Sequence, residues 1–204
     1  MGIRGLTSFV KNYGNQCEQN YELRSTYLVI DGNNVSYQIF NRCVDQSCIF
    51  GGEYNVYEQA ISKFFDKLLE CDVTPLVLLD GAYDISKTDI ILDRLKQKFE
   101  NSLALIANPT KRNVPSLLIP NVFVQVLRKK NIRHARCMFE ADGPIAAVAK
   151  VLNCPVLSFD SDFYIHGTLY IPFDTLGDHV VRTRSGKAMR CQIYRYEYFL
   201  LTLQ

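Results

Sequence analysis

Short apolar runs bounded by turn residues recur at Tyr27–Ile30, Pro75–Leu79, Arg133–Phe139 and Cys154–Phe159, each of a length suited to a buried strand. Between them the apolar spacing changes to i, i+3, i+4. Ile61, Phe64, Phe65, Leu68 and Leu69 stripe a helix over Val56–Cys71, and Leu117–Leu127 and Pro144–Leu152 read the same way. Strands alternating with helices predict an α/β fold, a three-layer α/β/α sandwich whose mainly parallel central sheet is covered on both faces. Ligands of such sheets sit outside the carboxyl ends of the strands.

Beyond Asp162 the elements shorten. Thr168–Phe173, His179–Thr183 and Ala188–Tyr194 read as strands, the last two joined across Arg184-Ser185-Gly186-Lys187, whose glycine suits a hairpin. A last helix is expected from about Arg195. Asn108–Pro120, with three prolines beside Lys111 and Arg112, is the candidate mobile loop. No repeat, low-complexity tract or linker divides the chain, so residues 1–204 are read as one domain.

The 204 residues are 48% apolar and 22% charged, a globular mixture that excludes disorder, collagen and coiled coil. A chain of this size buries roughly 70% of its extended surface and needs neither disulfides nor structural metal to fold. Its seven cysteines are odd in number, form no C-x-x-C and lie mostly among apolar residues, so they read as reduced core thiols of an intracellular protein. No apolar run nears the ~18 residues of a bilayer span, and neither a signal peptide nor a myristoylation pattern opens the chain. The expectation is a soluble protein with no membrane partner. Net charge is only +2, yet between Ile85 and Arg136 eleven Lys and Arg stand against three acids, a local +8 that leaves −6 for everything else. That asymmetry predicts a basic face opposite an acidic pocket, as when a polyanion is held beside a metal site; a solvated helix with scattered lysines is the plainer alternative.

Asp31 closes the first apolar run, Asp80 closes the second, Glu140 and Asp142 follow the third, and Asp160 and Asp162 follow the fourth. Asp31 and Asp80 are each followed by Gly. In extended backbone, residues i and i+2 point the same way, so each doubled pair is expected to present two carboxylates together. An Asp after a strand often caps the next helix, which serves for any one of these but not for doubled acids after two strands. Six carboxylates at one edge call for hard cations. Mg²⁺ takes oxygen donors and keeps exchangeable waters, Mn²⁺ accepts the same ligands, and two such ions ~4 Å apart support in-line phosphodiester displacement. No phosphate-binding glycine loop, no second Asp two residues after Asp31 and no paired Ser or Cys nucleophile offers another chemistry. His134, His166 and His179 lack ligand spacing.

Met1-Gly2-Ile3-Arg4-Gly5-Leu6, Val29-Ile30-Asp31-Gly32, Leu79-Asp80-Gly81, Phe139-Glu140-Ala141-Asp142 and Ser158-Phe159-Asp160-Ser161-Asp162 stand in the order seen in the flap-endonuclease superfamily, which the chain resembles over almost its whole length. With Gly51-Gly52-Glu53-Tyr54, Phe64-Phe65 and Cys154-Pro155-Val156-Leu157-Ser158 it looks most like the Asteroid branch. The resemblance implies a PIN-like nuclease fold and a Mg²⁺-dependent endonuclease cleaving DNA with single-stranded, overhang or flap ends. By motif, Asp31, Asp80, Glu140 and Asp142 would hold one ion and Asp160 and Asp162 a second. Gly2 would lie near the scissile site, Tyr37 would stack a base, and Lys87 and Arg94 would meet the scissile phosphate. A spacing of seven independently puts Lys87 and Arg94 on one helix face, with Lys98 beside Arg94. Tyr37 taken alone is equally a core tyrosine, and the three cations equally solvated charge.

The stretch from Asp80 to Glu140 is shorter than in typical flap endonucleases, which implies a reduced or open helical arch. The family's seventh acid and its duplex-gripping helix-hairpin-helix element have no match within residues 1–204. A role in DNA repair, nuclear with the cytoplasm as second compartment and reached through a recruiting repair protein, follows from the same resemblance. Two alternatives stand beside it: a PIN-like ribonuclease, with which Asp31-Gly32-Asn33-Asn34 is compatible, and a non-catalytic nucleic-acid-binding regulator on a nuclease fold.

Overall fold

The computed structural model describes residues 5–13, 17–43, 53–83, 85–108 and 116–202. Among them eight strands make one sheet: β1 (Glu18–Leu23), β2 (Tyr27–Asp31), β3 (Thr74–Leu79), β4 (Arg133–Arg136), β5 (Val156–Ser158), β6 (Leu169–Pro172), β7 (Val180–Thr183) and β8 (Gly186–Arg195). Five of them run parallel in the order β6-β5-β2-β3-β4. β8 lies antiparallel beside β6, and β1 and β7 each pair antiparallel with β8. From β2 the chain moves outward to β3 and β4, then returns to β5 on the other side of β2. Strand order therefore reverses between β2 and β5, the place where open α/β sheets form their binding crevice.

Strand alternation splits the apolar side chains between two cores. Leu28, Ile30, Val77, Leu79, Leu157 and Ile171 belong to one, covered by α2 (Gly32–Cys43), α3 (Tyr54–Glu70) and α5 (Ile119–Lys129) through Phe40, Ile61, Phe65 and Phe123. Val29, Leu78, Val156 and Tyr170 belong to the other, with Val10 of α1 (Leu6–Tyr13) and Ile145 and Ala149 of α6 (Asp142–Leu152). This is the α/β/α sandwich that the alternation predicts. Because both faces are buried, β2, β3 and β5 read as continuous apolar runs, whereas β4, Arg-His-Ala-Arg at the end of the sheet, is largely exposed. The chain ends in α7 (Tyr196–Thr202), near its expected start.

β1 was not anticipated, and α4 (Thr88–Ala107), expected as a basic helix, stays out of both cores. β1 is an edge strand with only Tyr21 and Leu23 apolar, and its partner supplies the pairing. After a 3₁₀ turn at Ile85–Lys87, α4 runs 20 residues with no buried side chain among those described, Leu95 and Phe99 being 54% and 64% exposed. It therefore rides on the surface of the sandwich. The third apolar run is a strand only to Arg136; from Cys137 the backbone becomes a link that accepts Gly81 N–H at Phe139 O and Ala82 N–H at Met138 O, both at 2.8 Å. Pro120 sits in the first turn of α5 rather than in a loop, and residues 109–115 of the expected mobile loop lie outside the described residues. Across the β7–β8 hairpin Thr183 pairs with Gly186, whose φ of +126° explains the glycine. The six described cysteines are free thiols, and no helix among the described residues is long and apolar enough to cross a membrane.

Candidate functional site

Asp31 ends β2, Asp80 follows β3, Asp160 follows β5, and Glu140 and Asp142 close the link from β4, Asp142 as the first residue of α6. Asp31 and Asp160 thus flank the point where strand order reverses. Neither doubled pair lies in continuous extended backbone, contrary to the i, i+2 expectation: Asp160 is extended, but the turn begins at the next residue. Ala141 is already in the right-handed helical region, and Asp160 caps the 3₁₀ turn Ser161–Tyr164, accepting Asp162 N–H at 3.2 Å. A helical turn begins at or beside each doubled pair, α6 at Asp142 and the 3₁₀ turn at Ser161, so the strand alternation does not extend through them. Capping and clustering coexist: Asp31 Oδ1 also accepts Asn34 N–H at 3.1 Å in the first turn of α2.

Asp142 lies at the electrostatic centre. Burial, then Asp31, Asp160, Asp80 and Glu140 in falling order, push its carboxyl to about 7. Asp31, only 6% exposed, is pushed to about 6 by burial, while hydrogen bonds from Ser158 and Asn34 hold it down. Burial raises Asp160 as well, and Asp162 adds to that shift. Five carboxylates are therefore close enough to repel one another, with Asp162 joined through Asp160. Among the described residues no three His, Cys, Asp or Glu side chains are gathered tightly enough to hold a metal ion as they stand. The reason is visible in their partners. Asp31 Oδ2 accepts from Ser158 Oγ at 2.7 Å, Asp80 Oδ1 accepts Ala141 N–H at 2.8 Å, and Glu140 Oε1 pairs with Lys87 Nζ at 2.6 Å.

Sequence reasoning missed the residues that tie these strand ends together. Asn33 Oδ1 accepts Asp80 N–H at 3.2 Å, Asn34 Oδ1 accepts Phe159 N–H at 3.0 Å, and Ser158 Oγ accepts Asp160 N–H at 3.0 Å. Tyr170 Oη in turn donates to Ser158 O at 3.1 Å. Arg136, the last residue of β4, donates from Nη1 to Asp80 O at 2.8 Å. The Asp31-Gly32-Asn33-Asn34 run was the available signal for the first two, whereas Arg136 was hidden in a general excess of basic residues. The glycine after each early Asp has a steric cause. A Cβ on Gly32 would lie 2.6 Å from Leu79 Cδ2 and 2.9 Å from Leu78 O, and one on Gly81 would overlap the Cys137 carbonyl.

Two of the described basic residues lie at the acids rather than opposite them. Lys87 and Arg136 touch the acidic edge itself, while Arg94 and Lys98 lie exposed along α4, roughly 10 and 16 Å beyond Lys87 at the helical rise. Tyr37 of α2 is half-buried against the main core, its hydroxyl pushed up by burial and then by Tyr83. Gly2 and Gly51-Gly52 lie outside the described residues. The donor set fits a hard divalent cation: it is made of carboxylate oxygens whose mutual repulsion an inserted positive charge would remove.

That repulsion makes a prediction. A carboxyl held above its ordinary 3.8 costs nothing below pH 4, and its full penalty is present once pH passes the folded value, here about 7 for Asp142. In EDTA the chain is expected to lose stability as pH rises from 4 to 8. Asp142→Asn is expected to raise the melting temperature at pH 8 by roughly 2–6 °C, allowing for screening of a partly exposed group, and to do little at pH 4. Melts followed by circular dichroism check this, and a variant that melts lower at pH 8 would contradict it.

No family model matches the chain. Its fold is shared with solved nucleases. The catalytic core of Rad2 in complex with DNA superposes with a TM-score of 0.62 at 16% identity, covering 95% of this chain and 56% of that one. Flap endonuclease-1 from Methanococcus jannaschii gives 0.57 at 16%, covering 93% and 64%. The Holliday junction-resolving enzyme GEN1 in complex with product DNA and Mg²⁺ gives 0.54 at 16%, covering 96% and 40%. The architecture is thus that of the PIN-like flap endonucleases. Sequence places it more narrowly: 42% identity over 176 residues to protein asteroid of Drosophila melanogaster, and 41% over 170 residues to the single-strand DNA endonuclease ASTE1 of Homo sapiens, covering 86% and 81% of this chain. The chain belongs to the family of the Asteroid proteins. It spans 20% and 24% of the length of these two curated relatives.

Proposed function

We propose that this chain is the catalytic domain of a Mg²⁺-dependent endonuclease that cuts DNA at single-stranded, overhang or flap ends. The observation that carries the reading is Asp142, surrounded by Asp31, Asp80 and Asp160 from three other strand ends and by Glu140 of its own link. Asp31, Asp80, Glu140 and Asp142 would hold one ion, and Asp160 and Asp162 a second, with Mn²⁺ as a substitute. Such ions lower the pKa of water and neutralise charge that develops on phosphate. Lys87 has two uses. Paired with Glu140 it holds that carboxylate aside; turned to a phosphodiester oxygen, it neutralises the substrate and frees Glu140 together. Arg136, already at Asp80, extends the cationic rim, and Arg94 and Lys98 continue it along α4 for the departing strand. Tyr37 leaves part of its ring available to stack a base.

The name of the human relative, a single-strand DNA endonuclease, and the DNA in the Rad2 complex support DNA as substrate. We place this activity in nuclear DNA repair, with access to the cytoplasm and a repair protein as recruiter; a fluorescent fusion followed before and after DNA damage tests the compartment. The deciding experiment compares end-labelled single-stranded, overhang and flap DNA with matched single-stranded RNA, in Mg²⁺ or Mn²⁺, for the wild type, Asp80→Asn and Asp160→Asn. DNA products that vanish with EDTA and with both variants are expected. Preferential cutting of RNA would make the chain a ribonuclease, and binding without cutting would make it a regulator on a nuclease fold.

A further inference from the structure

A second concavity, of about 210 Å³, opens between the end of α2, the middle of α3 and the turn after β6. Ile39, Ala60, Phe64, Leu176 and Met189 line its floor, and Arg42, Lys63 and Lys67 stand around it with, among the described residues, a single acid, Asp178. Asp31 precedes α2 while Arg42 is near its other end, so the 12-residue helix separates the cavity from the acidic edge by on the order of 15 Å.

Among the described residues the lysines of the rim have no ion-pair partner, for a structural reason. Each acid of α3 is taken by a lysine from another element: Glu58 by Lys129 at 2.5 Å, Asp66 by Lys130 at 2.6 Å and Glu70 by Lys187 at 2.8 Å. Lys63 and Lys67, one turn apart on the same helix, are left to repel each other. Arg42 is held in place, its guanidinium 4.3 Å above the Phe173 ring and its Nη2 donating to Phe173 O at 3.1 Å. An incoming carboxylate would relieve this concentration of positive charge.

Size and wall chemistry decide what accompanies that carboxylate. Sites that enclose a whole small molecule measure ~300–1,000 Å³, so this cavity suits one large side chain of something bigger. Its floor is hydrocarbon and thioether. A nucleobase placed there would bury its polar edge without partners, a cost that a Leu, Met or Phe side chain does not incur. We propose that the cavity anchors an acidic peptide segment of a protein partner, with one large apolar side chain in the cavity and flanking carboxylates on Lys63 and Lys67.

The test titrates the chain, labelled at Ile, Leu and Met methyls, with short peptides of Asp and Glu around a central Leu, Met, Phe or Trp, with the central-Ala peptide, and with oligo-dT. The apolar-centred peptides are expected to shift the methyls of Ile39, Leu176 and Met189 saturably, the Ala peptide at least about tenfold more weakly. Binding is expected to weaken as salt rises and to be lost in Lys63→Glu/Lys67→Glu and in the cavity-filling Ala60→Phe, with the remaining methyl spectrum reporting that each variant is folded. Should a charge-reversed chain misfold, the single Lys63→Gln and Lys67→Gln variants carry the same test. The proposal is overturned if no peptide moves these methyls, if binding survives in folded charge-reversed chain, or if oligo-dT moves them more than the peptides do.

Discussion

Asp80→Asn is expected to abolish DNA cleavage while leaving DNA binding and the fold intact. Asp80 uses Oδ1 to accept Ala141 N–H at 2.8 Å, its N–H donates to Asn33 Oδ1, and its carbonyl accepts from Arg136. Asparagine keeps a carbonyl oxygen for the first contact, and the other two are made by the main chain. What the substitution removes is one negative charge among five crowded acids. Loss of a residue that merely orients a ligand costs ~10–100-fold, so loss of a carboxylate in direct contact with an ion is expected to exceed that range. The measurement is single-turnover cleavage of single-stranded DNA at saturating Mg²⁺, beside the Kd for the same DNA in EDTA. Activity within tenfold of wild type would remove Asp80 from the ion site.

Gly81→Ala is expected to be the most damaging small substitution at this edge. Gly81 N–H donates to Phe139 O at 2.8 Å, which brings the backbone after β3 directly against the link that carries Glu140. A Cβ there would stand 2.5 Å from Met138 O and overlap the Cys137 carbonyl, so main chain must move rather than a flexible side chain. Overpacking of this kind costs ~1–3 kcal/mol, and a clash with backbone belongs at the top of that range or above it. The melting temperature is expected to fall by roughly 6–12 °C. Glu140 would be displaced with its link, so cleavage is expected to fall as well, even well below the melting point. Calorimetry and the single-strand assay at low temperature check both; a melting point within a degree of wild type would contradict the close approach.

These two residues also separate what is local from what is not. The apolar runs ending in Asp31, Asp80 and Asp160 are readable because a strand buried on both faces has to be apolar throughout, and the helices of the main core because their stripes repeat every turn. The order of the acid-bearing motifs identified the superfamily without reference to contacts. α4 was legible as a row of basic positions at helical spacing, but that its apolar residues Leu92, Leu95, Phe99 and Leu103 stay exposed is decided by tertiary packing. β1 escaped for a related reason: its place in the sheet is set by backbone pairing with β8, which is remote in sequence.

The chemistry of the site divides in the same way. That six carboxylates end up at one sheet edge follows from their positions after strands that must run parallel. Which of them crowd Asp142, that Lys87 holds Glu140 aside, that Asn33, Asn34 and Ser158 lace the strand ends together, and that Gly81 has no room for a methyl group depend mostly on segments remote in the chain, up to 127 residues apart for Asp31 and Ser158. Electrostatic and steric terms fall off within a few ångströms through space and are blind to distance along the sequence, so only folding brings those partners together.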